Sequence, residues 1–306
     1  MKAVQIQQLS KSYEKGKVKA LKGISFEVEP GELFGIIGPD GAGKTTLFRI
    51  LATLIKPDQG QATVMGLDVI KNFWDIRKIV GYMPGRFSLY QDLSIEENLN
   101  FFATVFNTTV EQNYHLIEDI YVQIEPFKKR QAGQLSGGMK QKLALCCALI
   151  HEPKVLFLDE PTTGVDPVSR KEFWDMLDRL KEKGITIVVS TPYMDEASRC
   201  DRIALMQEGQ IMDLDSLQNV LHKHPQNLFA AKASNMFRLL KDLRAFQGAK
   251  SAFAFGDEHH VILENSSMDE LKVYLEDKDH QNLQIKSIEP EIEDVFIQLM
   301  QEQETN

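Results

Sequence analysis

A glycine-rich loop followed by a lysine and a threonine carries the clearest chemical signal in this chain of 306 residues. The loop has the pattern G-x-x-x-x-G-K-T and consists of Gly38, Pro39, Asp40, Gly41, Ala42, Gly43, Lys44 and Thr45. Glycines let successive backbone N–H groups turn inward around phosphate oxygens. The pattern therefore predicts a nucleoside triphosphate site, with the Lys44 ammonium on the β- and γ-phosphates and the Thr45 hydroxyl on Mg²⁺.

The flanking sequence predicts the strand and the helix that must hold this loop. Residues 33–37 are a short apolar run before the loop, typical of a buried strand. Four aliphatic residues then recur at helical spacing: Leu47, Ile50, Leu51 and Leu54. The N-terminus of that helix would add positive partial charge beside the phosphates. Thr46, in its first turn, is expected to help hold the α-phosphate, and residues 56–58 (Lys-Pro-Asp) predict its end.

A pair of carboxylates ends another predicted strand. Residues 155–158 are continuously apolar, as in a buried parallel strand, and Asp159 and Glu160 follow them. Because side chains alternate along a strand, the two carboxylates are expected to diverge. Their position downstream of a phosphate-binding loop predicts that Asp159 belongs to the Mg²⁺ shell and that Glu160 is the general base for the attacking water. Glu160, Lys44 and Asp159 are therefore the predicted catalytic residues.

A serine and two glycines begin another predicted helix. Ser136, Gly137 and Gly138 lie between Leu135 and Met139. The apolar face of the helix is predicted to consist of Met139, Leu143, Cys146 or Cys147, and Ile150. By itself, the segment is typical of an N-cap serine followed by flexible glycines. Its position between the phosphate-binding loop and the carboxylate pair gives it a further meaning.

Together, the three motifs resemble those of ATP-binding-cassette (ABC) ATPases in order and spacing, over about residues 3–220. The resemblance implies a P-loop NTPase core with a parallel sheet, an antiparallel β-subdomain and a helical subdomain at about residues 86–150. The alternation of strand and helix patterns agrees with this α/β class. The resemblance also implies ATP and Mg²⁺ as the bound cofactors.

In the ABC family, two subunits pair head to tail with ATP at their interface. The resemblance implies that Ser136 and the Gly138 backbone N–H, with Gly137 between them, contact the γ-phosphate held by a second ABC ATPase subunit, in a homodimer or a heterodimer. Tyr13 matches the aromatic residue that stacks on adenine, although a lone tyrosine is often simply buried. Asp166 matches the loop that crosses to the partner, although an aspartate before a proline is also an ordinary turn residue.

Two positions depart from the family pattern. Gly85 stands where the family usually has a glutamine that contacts Mg²⁺ and the attacking water, and Pro192 stands where it usually has a histidine that contacts the γ-phosphate. Proline offers neither an imidazole nor a backbone N–H. Losing one transition-state hydrogen bond typically costs about 10²–10³ in rate. We therefore expect nucleotide binding with slow hydrolysis, or a pair in which a better-equipped partner compensates.

Three segments resemble the exporter branch of bacterial ABC ATPases, which includes drug-resistance exporters with separately encoded permeases. These segments are residues 159–170, 193–197 and 290–300. The expected function is an ATPase coupled to transmembrane export of a small or amphipathic compound, with the permease contacted near residues 85–90. Two alternatives remain: an ATP-binding regulatory module with little turnover, and a soluble ABC ATPase acting on DNA or ribosomes. Members of the last class usually carry two cassettes or a long coiled-coil insertion, and neither is expected here.

Composition narrows the partners and the location. The net charge of −9, from 35 basic and 44 acidic residues, argues against a nucleic-acid partner. No signal peptide or membrane-spanning run is expected, so the predicted location is the cytoplasmic face of the bacterial inner membrane, reached through a permease. Cys146, Cys147 and Cys200 have neither metal-ligand nor disulfide spacing and are expected to be small buried side chains.

The predicted domains are residues 1–221, the nucleotide-binding domain, and residues 222–306, a small α+β accessory domain. A change in composition at residues 222–227 predicts a linker between them. Beyond the linker, the pattern predicts strand, helix, strand, strand, helix, strand and helix, in that order. This order is typical of a split-βαβ unit.

Overall fold

The structure, a computed structural model, describes residues 1–223 and 227–305 of the chain. The chain divides into two units, Met1–Ser216 and Leu217–Asn306. The predicted linker at 222–227 includes residues 224–226, which lie outside the described residues, so it stays a prediction. Within the described ranges, no helix has the length and hydropathy needed to cross a membrane.

The strands of the first unit form two sheets. In chain order they are β1 (Val4–Tyr13), β2 (Val18–Val28), β3 (Leu33–Ile37), β4 (Gln59–Val64), β5 (Leu67–Asp68), β6 (Val80–Met83), β7 (Val155–Asp159), β8 (Thr186–Thr191), β9 (Arg202–Gln207) and β10 (Gln210–Asp215). The helices are α1 (Lys44–Leu51), α2 (Phe73–Ile79), α3 (Ile95–Val105), α4 (Tyr114–Tyr121), α5 (Gly137–Leu149) and α6 (Pro167–Glu182). Short 3₁₀ helices occur at Glu14–Gly16, Glu125–Phe127, Ala132–Gln134 and Met194–Arg199.

The central sheet has the order β10-β9-β3-β8-β7-β6, with β10 as an antiparallel edge and the other five strands parallel. Both of its faces are buried. In β7, Leu156 and Leu158 belong to the core made with α3 to α6, whereas Val155 and Phe157 belong to the core made with α1 and the second sheet. All four side chains are fully buried, which explains why the strand is a continuous apolar run.

The second sheet of this unit has the order β2-β1-β4-β5 and is antiparallel throughout. Its strands β1 and β2 are joined by the short 3₁₀ helix Glu14–Gly16. The predicted parallel core with an antiparallel β-subdomain is therefore confirmed.

Helix α1 ends earlier than predicted. It stops at Leu51, so Leu54, predicted to lie on its apolar face, is outside the helix and 54% exposed. Thr53 has a left-handed backbone with φ of 59°, and its carbonyl accepts a hydrogen bond from Arg77 Nη2 at 2.9 Å. This turn ends the helix before the Lys-Pro-Asp sequence is reached.

Helices α3, α4 and α5 form the predicted helical subdomain. Helix α5 buries Leu143, Cys146 and Cys147 in the core, as predicted. Cys200 is only partly buried, which corrects the expectation that all three cysteines are enclosed.

The second unit begins with α7 (Leu217–Lys223) and contains a four-stranded antiparallel sheet of order β12-β13-β11-β14. Its further elements are β11 (Leu228–Lys232), α8 (Met236–Ala245), β12 (Ala249–Phe255), β13 (Glu258–Leu263), α9 (Met268–Glu276), β14 (Gln284–Ser287) and α10 (Ile292–Thr305). The predicted split-βαβ order is confirmed. Helices α8 and α9 cover one sheet face, and α10 meets the other through Ile297 and through Asp294, which hydrogen bonds His260 at 2.5 Å.

Candidate active site

The glycine-rich loop lies between the end of β3 and the start of α1, as predicted. Its backbone approaches neighbouring segments so closely that a side chain would not fit at two positions. A Cβ atom at Gly38 would lie 2.0 Å from the Met206 carbonyl oxygen, and one at Gly43 would lie 2.4 Å from the Ala20 carbonyl oxygen. Gly43 also has a φ of 109° and is the N-cap of α1. These glycines keep the loop narrow and direct the helix N-terminus at its centre.

Lys44 is held across the loop. Its side chain is 3% exposed, and its ammonium donates to the carbonyl oxygens of Gly38 at 2.7 Å and Pro39 at 3.0 Å. The same nitrogen lies 3.0 Å from Glu160 Oε1. The ammonium has three donors, and the loop fixes two of them, so the third is the one that can be exchanged between Glu160 and a phosphate oxygen.

Asp159 and Thr45 lie together, which is the arrangement predicted for Mg²⁺. Thr45 Oγ1 donates to Asp159 Oδ1 at 3.2 Å, and Ser190 Oγ donates to the same oxygen at 2.8 Å. Asp159 is 2% exposed, and this burial raises the pKa of its carboxyl while the two hydroxyls oppose the rise. A hydroxyl beside a carboxylate is a donor set that suits Mg²⁺, so these residues fit the ion.

Ser190 is a site residue that sequence reasoning missed. In the parallel pairing of β7 with β8, Ser190 is opposite Asp159. The serine follows three consecutive apolar residues, Ile187 to Val189. The signal was therefore present, but the pairing of the two strands was needed to interpret it.

The carboxylates of Asp159 and Glu160 diverge because of a turn in the backbone, whereas alternation along a strand was predicted to separate them. Strand β7 ends at Asp159, and Glu160 has a left-handed backbone with φ of 49°. Its N–H donates to the Ser190 carbonyl at 3.1 Å and to Ser190 Oγ at 3.0 Å. A left-handed non-glycine residue costs about 1–3 kcal/mol and persists where its surroundings hold it. This turn directs the Glu160 carboxylate to Lys44.

Tyr13 lines, together with the loop, an open cavity of about 650 Å³. The residue is 37% exposed, and its hydroxyl is 3.4 Å from Thr46 Oγ1. Tyr13 is therefore neither fully buried nor on a distant surface. An exposed aromatic ring beside the loop can stack on a base.

Three lysines that sequence reasoning missed also line this cavity: Lys17, Lys19 and Lys22. They belong to the basic segment between β1 and the first half of β2, and Lys22 lies 3.5 Å from Glu208. Their charge favours a polyanion in a chain whose net charge is −9. The repeated lysines at residues 15–22 were the available signal.

Ser136, Gly137 and Gly138 lie at the start of α5, away from this cavity. Ser136 is the N-cap, and its Oγ accepts from the Met139 N–H at 3.4 Å. A Cβ atom at Gly138 would lie 2.7 Å from Ser169 Oγ, so α5 meets the first turn of α6 there. Ser136 and Gly137 are exposed.

Asp166 is exposed beside the same junction. It is the N-cap of α6, and its Oδ1 accepts from the Ser169 N–H at 3.0 Å, which lowers the pKa of the Asp166 carboxyl. The residues predicted to act in trans therefore share one exposed surface, formed by the starts of α5 and α6. None of these four residues lines the cavity around the glycine-rich loop.

The two departures adjoin the carboxylates. A Cβ atom at Gly85 would lie 3.0 Å from the Asp159 carbonyl oxygen and 3.8 Å from Glu160 Cβ. Pro192 follows directly on β8, two residues after Ser190, and is half-buried. Both positions are therefore at the same end of the central sheet as the predicted catalytic residues.

Comparison with known proteins gives a consistent family. A family model described as "ABC transporter" matches residues 21–163. The chain is 50% identical over 187 residues to the probable multidrug ABC transporter ATP-binding protein YbhF of Escherichia coli, covering 60% of this chain and 32% of YbhF. It is 35% identical over 261 residues to the doxorubicin resistance ATP-binding protein DrrA of Mycobacterium tuberculosis, covering 84% of this chain and 77% of DrrA.

The chain thus spans about a third of the length of YbhF, at 32%, and most of the length of DrrA. Among solved structures, it is similar to the dimeric, post-hydrolysis state of the ATP-binding cassette MJ0796 bound to ADP and Pi, with a TM-score of 0.64 and 26% identity. The likeness covers 70% of this chain and 98% of that cassette.

Proposed function

The chain belongs to the family of ABC transporter ATP-binding proteins, and we propose that it binds and hydrolyses ATP to drive export of a small or amphipathic compound through a separate membrane permease. The observation that carries this proposal is the meeting of Lys44, Asp159 and Glu160 at one end of the central sheet. The names of the similar proteins, for multidrug and doxorubicin resistance, support the exporter class.

The chemistry follows from the groups in the site. Lys44 exchanges its contact with Glu160 for oxygens of the β- and γ-phosphates, which frees the Glu160 carboxylate to accept a proton from the attacking water. Thr45 and Asp159 would hold Mg²⁺, which neutralises charge on the phosphates when bound. The backbone N–H groups of the glycine-rich loop stabilise the charge that remains.

A second cassette completes the proposed site. The exposed starts of α5 and α6 offer a helix N-terminus, Ser136 and Asp166 to another subunit. The similarity to MJ0796, whose solved cassette is dimeric, supports this arrangement. The pair is a homodimer or a heterodimer with a related subunit.

A groove near Gly85 supports contact with the permease. This open cavity of about 850 Å³ is lined by Trp74, Arg77, Lys78, Met83, Pro84 and Phe87, among others. Trp74 is 65% exposed, and exposed apolar surface of this kind marks a contact site. Within the part of the chain that the structure describes, the lining includes Arg77 and Lys78 but no acidic side chain. An amphipathic permease segment with an acidic residue would match it.

Gly85 and Pro192 favour one alternative, an ATP-binding regulatory module with little turnover. Neither residue can supply the side-chain hydrogen bonds that the family usually has at these positions. Lys44 nevertheless lies 3.0 Å from Glu160, and Asp159 accepts a hydrogen bond from Thr45, the residue after Lys44. We therefore propose slow hydrolysis as the primary function. A soluble role on DNA or ribosomes has no supporting observation in the described residues.

Single-turnover ATP hydrolysis by the full chain tests the proposal against this alternative. We expect one ATP to be cleaved by the unmodified protein, and the Glu160→Gln variant to bind ATP at least as tightly without cleaving it, because Lys44 loses a competing carboxylate. Absence of cleavage in the unmodified protein, alone and with its partners, would favour the regulatory module. Co-purification with a permease from detergent-solubilised membranes tests the membrane role separately.

A further inference from the structure

A buried carboxylate outside the nucleotide cavity has no role in the proposed function. Glu196 is 4% exposed and lies in the 3₁₀ helix Met194–Arg199, after Pro192. It does not line the cavity around the glycine-rich loop. A buried charge is costly unless it is paired and hydrogen-bonded, so its partners indicate why the fold retains it.

Three elements of the site converge on this carboxylate. Thr162 Oγ1 donates to Glu196 Oε1 at 2.9 Å, and Thr191 Oγ1 donates to Oε2 at 2.5 Å. Arg170 Nε lies 3.7 Å from Oε1. Thr162 follows Glu160 by two residues, Thr191 is the last residue of β8, and Arg170 is in the first turns of α6. Both hydroxyls are buried, at 1% and 0% exposure.

We infer that Glu196 is a positioning residue for hydrolysis, which fixes the Glu160 turn and the start of α6 relative to each other. This inference rests on the proposed function. The turn at Glu160 is left-handed and is held upstream by the Ser190 hydrogen bonds. Glu196 holds the downstream side through Thr162, and it holds β8 beside Ser190 through Thr191. The general base is therefore restrained from both sides.

The same carboxylate connects the base to the surface offered to the second subunit. Arg170 also pairs with Asp195 at 3.2 Å, and its guanidinium lies 4.6 Å from the centre of the Tyr193 ring. Arg170 is adjacent to Ser169, whose N–H donates to Asp166 Oδ1 and whose Oγ lies beside Gly138. A shift at Glu196 would therefore move the start of α6 together with the Glu160 turn.

Pro192 makes this restraint more important in this chain. Proline has no N–H to donate and no imidazole, so residue 192 cannot fix the end of β8 by its own hydrogen bonds. Thr191 Oγ1 donates to Glu196 and accepts from the Tyr193 N–H at 3.0 Å. The Thr191 hydroxyl thus joins the residues on either side of Pro192, and Glu196 orients this hydroxyl.

The test is steady-state ATPase kinetics and ATP binding for Thr191→Val, Thr191→Ser and Thr186→Val in the full chain. Valine keeps the volume of Thr191 and removes the hydroxyl, so kcat should fall about 10- to 100-fold, as expected when a catalytic group is displaced. KM and the Kd for ATP should stay unchanged, and serine should restore kcat.

Thr186→Val is the matched control on the same strand. Thr186 is also buried, at 2% exposure, and its hydroxyl accepts from the Gly31 N–H at 2.9 Å, at the opposite end of β8. It should lower the melting temperature and leave kcat unchanged. The unmodified rate, which tests the proposed function, is the reference. An unchanged kcat in Thr191→Val, or an equal loss in Thr186→Val, would overturn the positioning role while leaving the function intact.

Discussion

The two halves of the nucleotide machinery differ in how far one chain organises them. Around the glycine-rich loop, Lys44 and Asp159 are 3% and 2% exposed, and each has at least two hydrogen-bond partners. At the starts of α5 and α6, Ser136 and Asp166 are exposed, and each forms a hydrogen bond within its own first turn. Contacts within one chain fix the side chains of the first half, whereas those of the second half are exposed at the protein surface.

This difference separates two steps of the proposed cycle. Binding of ATP depends on groups that a single chain already fixes, so little order has to be gained when the nucleotide arrives. In the proposed cycle, hydrolysis depends also on the starts of α5 and α6 of a second chain, which would contact the γ-phosphate when two chains meet. Variants of the buried phosphate-binding lysine should therefore weaken binding, and variants of the second half should affect turnover alone.

The largest effect is expected for Lys44→Met. The variant removes a buried ammonium whose hydrogen bonds to phosphate oxygens are of the charged type, worth about 1.5–3 kcal/mol each. ATP affinity should fall by roughly 100-fold or more, and hydrolysis should be lost. Isothermal titration with Mg-ATP measures the affinity. Lys183→Met is the control, because Lys183 pairs with Asp119 on the surface, at 43% exposure. Equal affinity in Lys44→Met and the unmodified protein would break the distinction between the two halves.

Ser136→Ala tests the second half. It should lower kcat by about 10²-fold, because one hydrogen bond to the γ-phosphate is lost in the transition state. The affinity of the single chain for ATP should not change. The variant also removes an N-cap, which costs about 1 kcal/mol of stability.

Ser94→Ala separates these two consequences of losing a cap. Ser94 is the N-cap of α3, in a capping box with Glu97. Its variant should lose similar stability and keep its ATPase rate, as measured in the same assay. If both serine variants lose the same fraction of activity, Ser136 acts through helix stability and the surface assignment is wrong.

A gain of activity is expected where the family's usual side chains are restored. Gly85→Gln and Pro192→His should each raise the single-turnover rate by about tenfold, less than the 10²–10³ typical of such hydrogen bonds. At position 85 the gain is limited because a Cβ atom there would lie 3.0 Å from the Asp159 carbonyl oxygen, so the backbone must shift to admit the glutamine.

Alanine variants at the same positions isolate the contribution of the added groups. Gly85→Ala adds the crowded Cβ atom without an amide, and Pro192→Ala restores the N–H without an imidazole. Neither should accelerate hydrolysis. If the glutamine and histidine variants also fail to accelerate it, other groups already perform these roles and the first half is more complete than its sequence indicates.

The sequence predicted the parts of the site that are local in the chain. Residues 38–45 and the strand-end pair Asp159 and Glu160 are continuous patterns whose function depends on adjacent residues. Ser190 and Glu196 were missed because their partners are about 30 residues away or belong to three separate elements. The early end of α1 was missed for the same reason, since it depends on a hydrogen bond from Arg77 in α2 to Thr53.

The smallest effect concerns His151, in the groove proposed for the permease, outside both halves of the machinery. Its Nε2 is 3.0 Å from the Val80 carbonyl oxygen, and its ring stacks on Phe106 with centres 3.8 Å apart. Burial lowers the pKa of His151 below 6.5. As the pH falls below 6.5, the unfolded state takes up the proton more readily than the folded state, so stability should fall there and be level above it.

The melting temperature of the unmodified protein should therefore drop more between pH 7 and the acid side of pH 6.5 than that of His151→Asn, which removes the titrating ring. His115→Asn is the matched control, because His115 is exposed on α4. Affinity for ATP at pH 7 should be the same in all three proteins, since the groove is separate from the cavity of the glycine-rich loop. A change in ATP affinity in His151→Asn would mean that the groove and the phosphate-binding half are coupled even in a single chain, and the division between binding and turnover would have to include the permease surface.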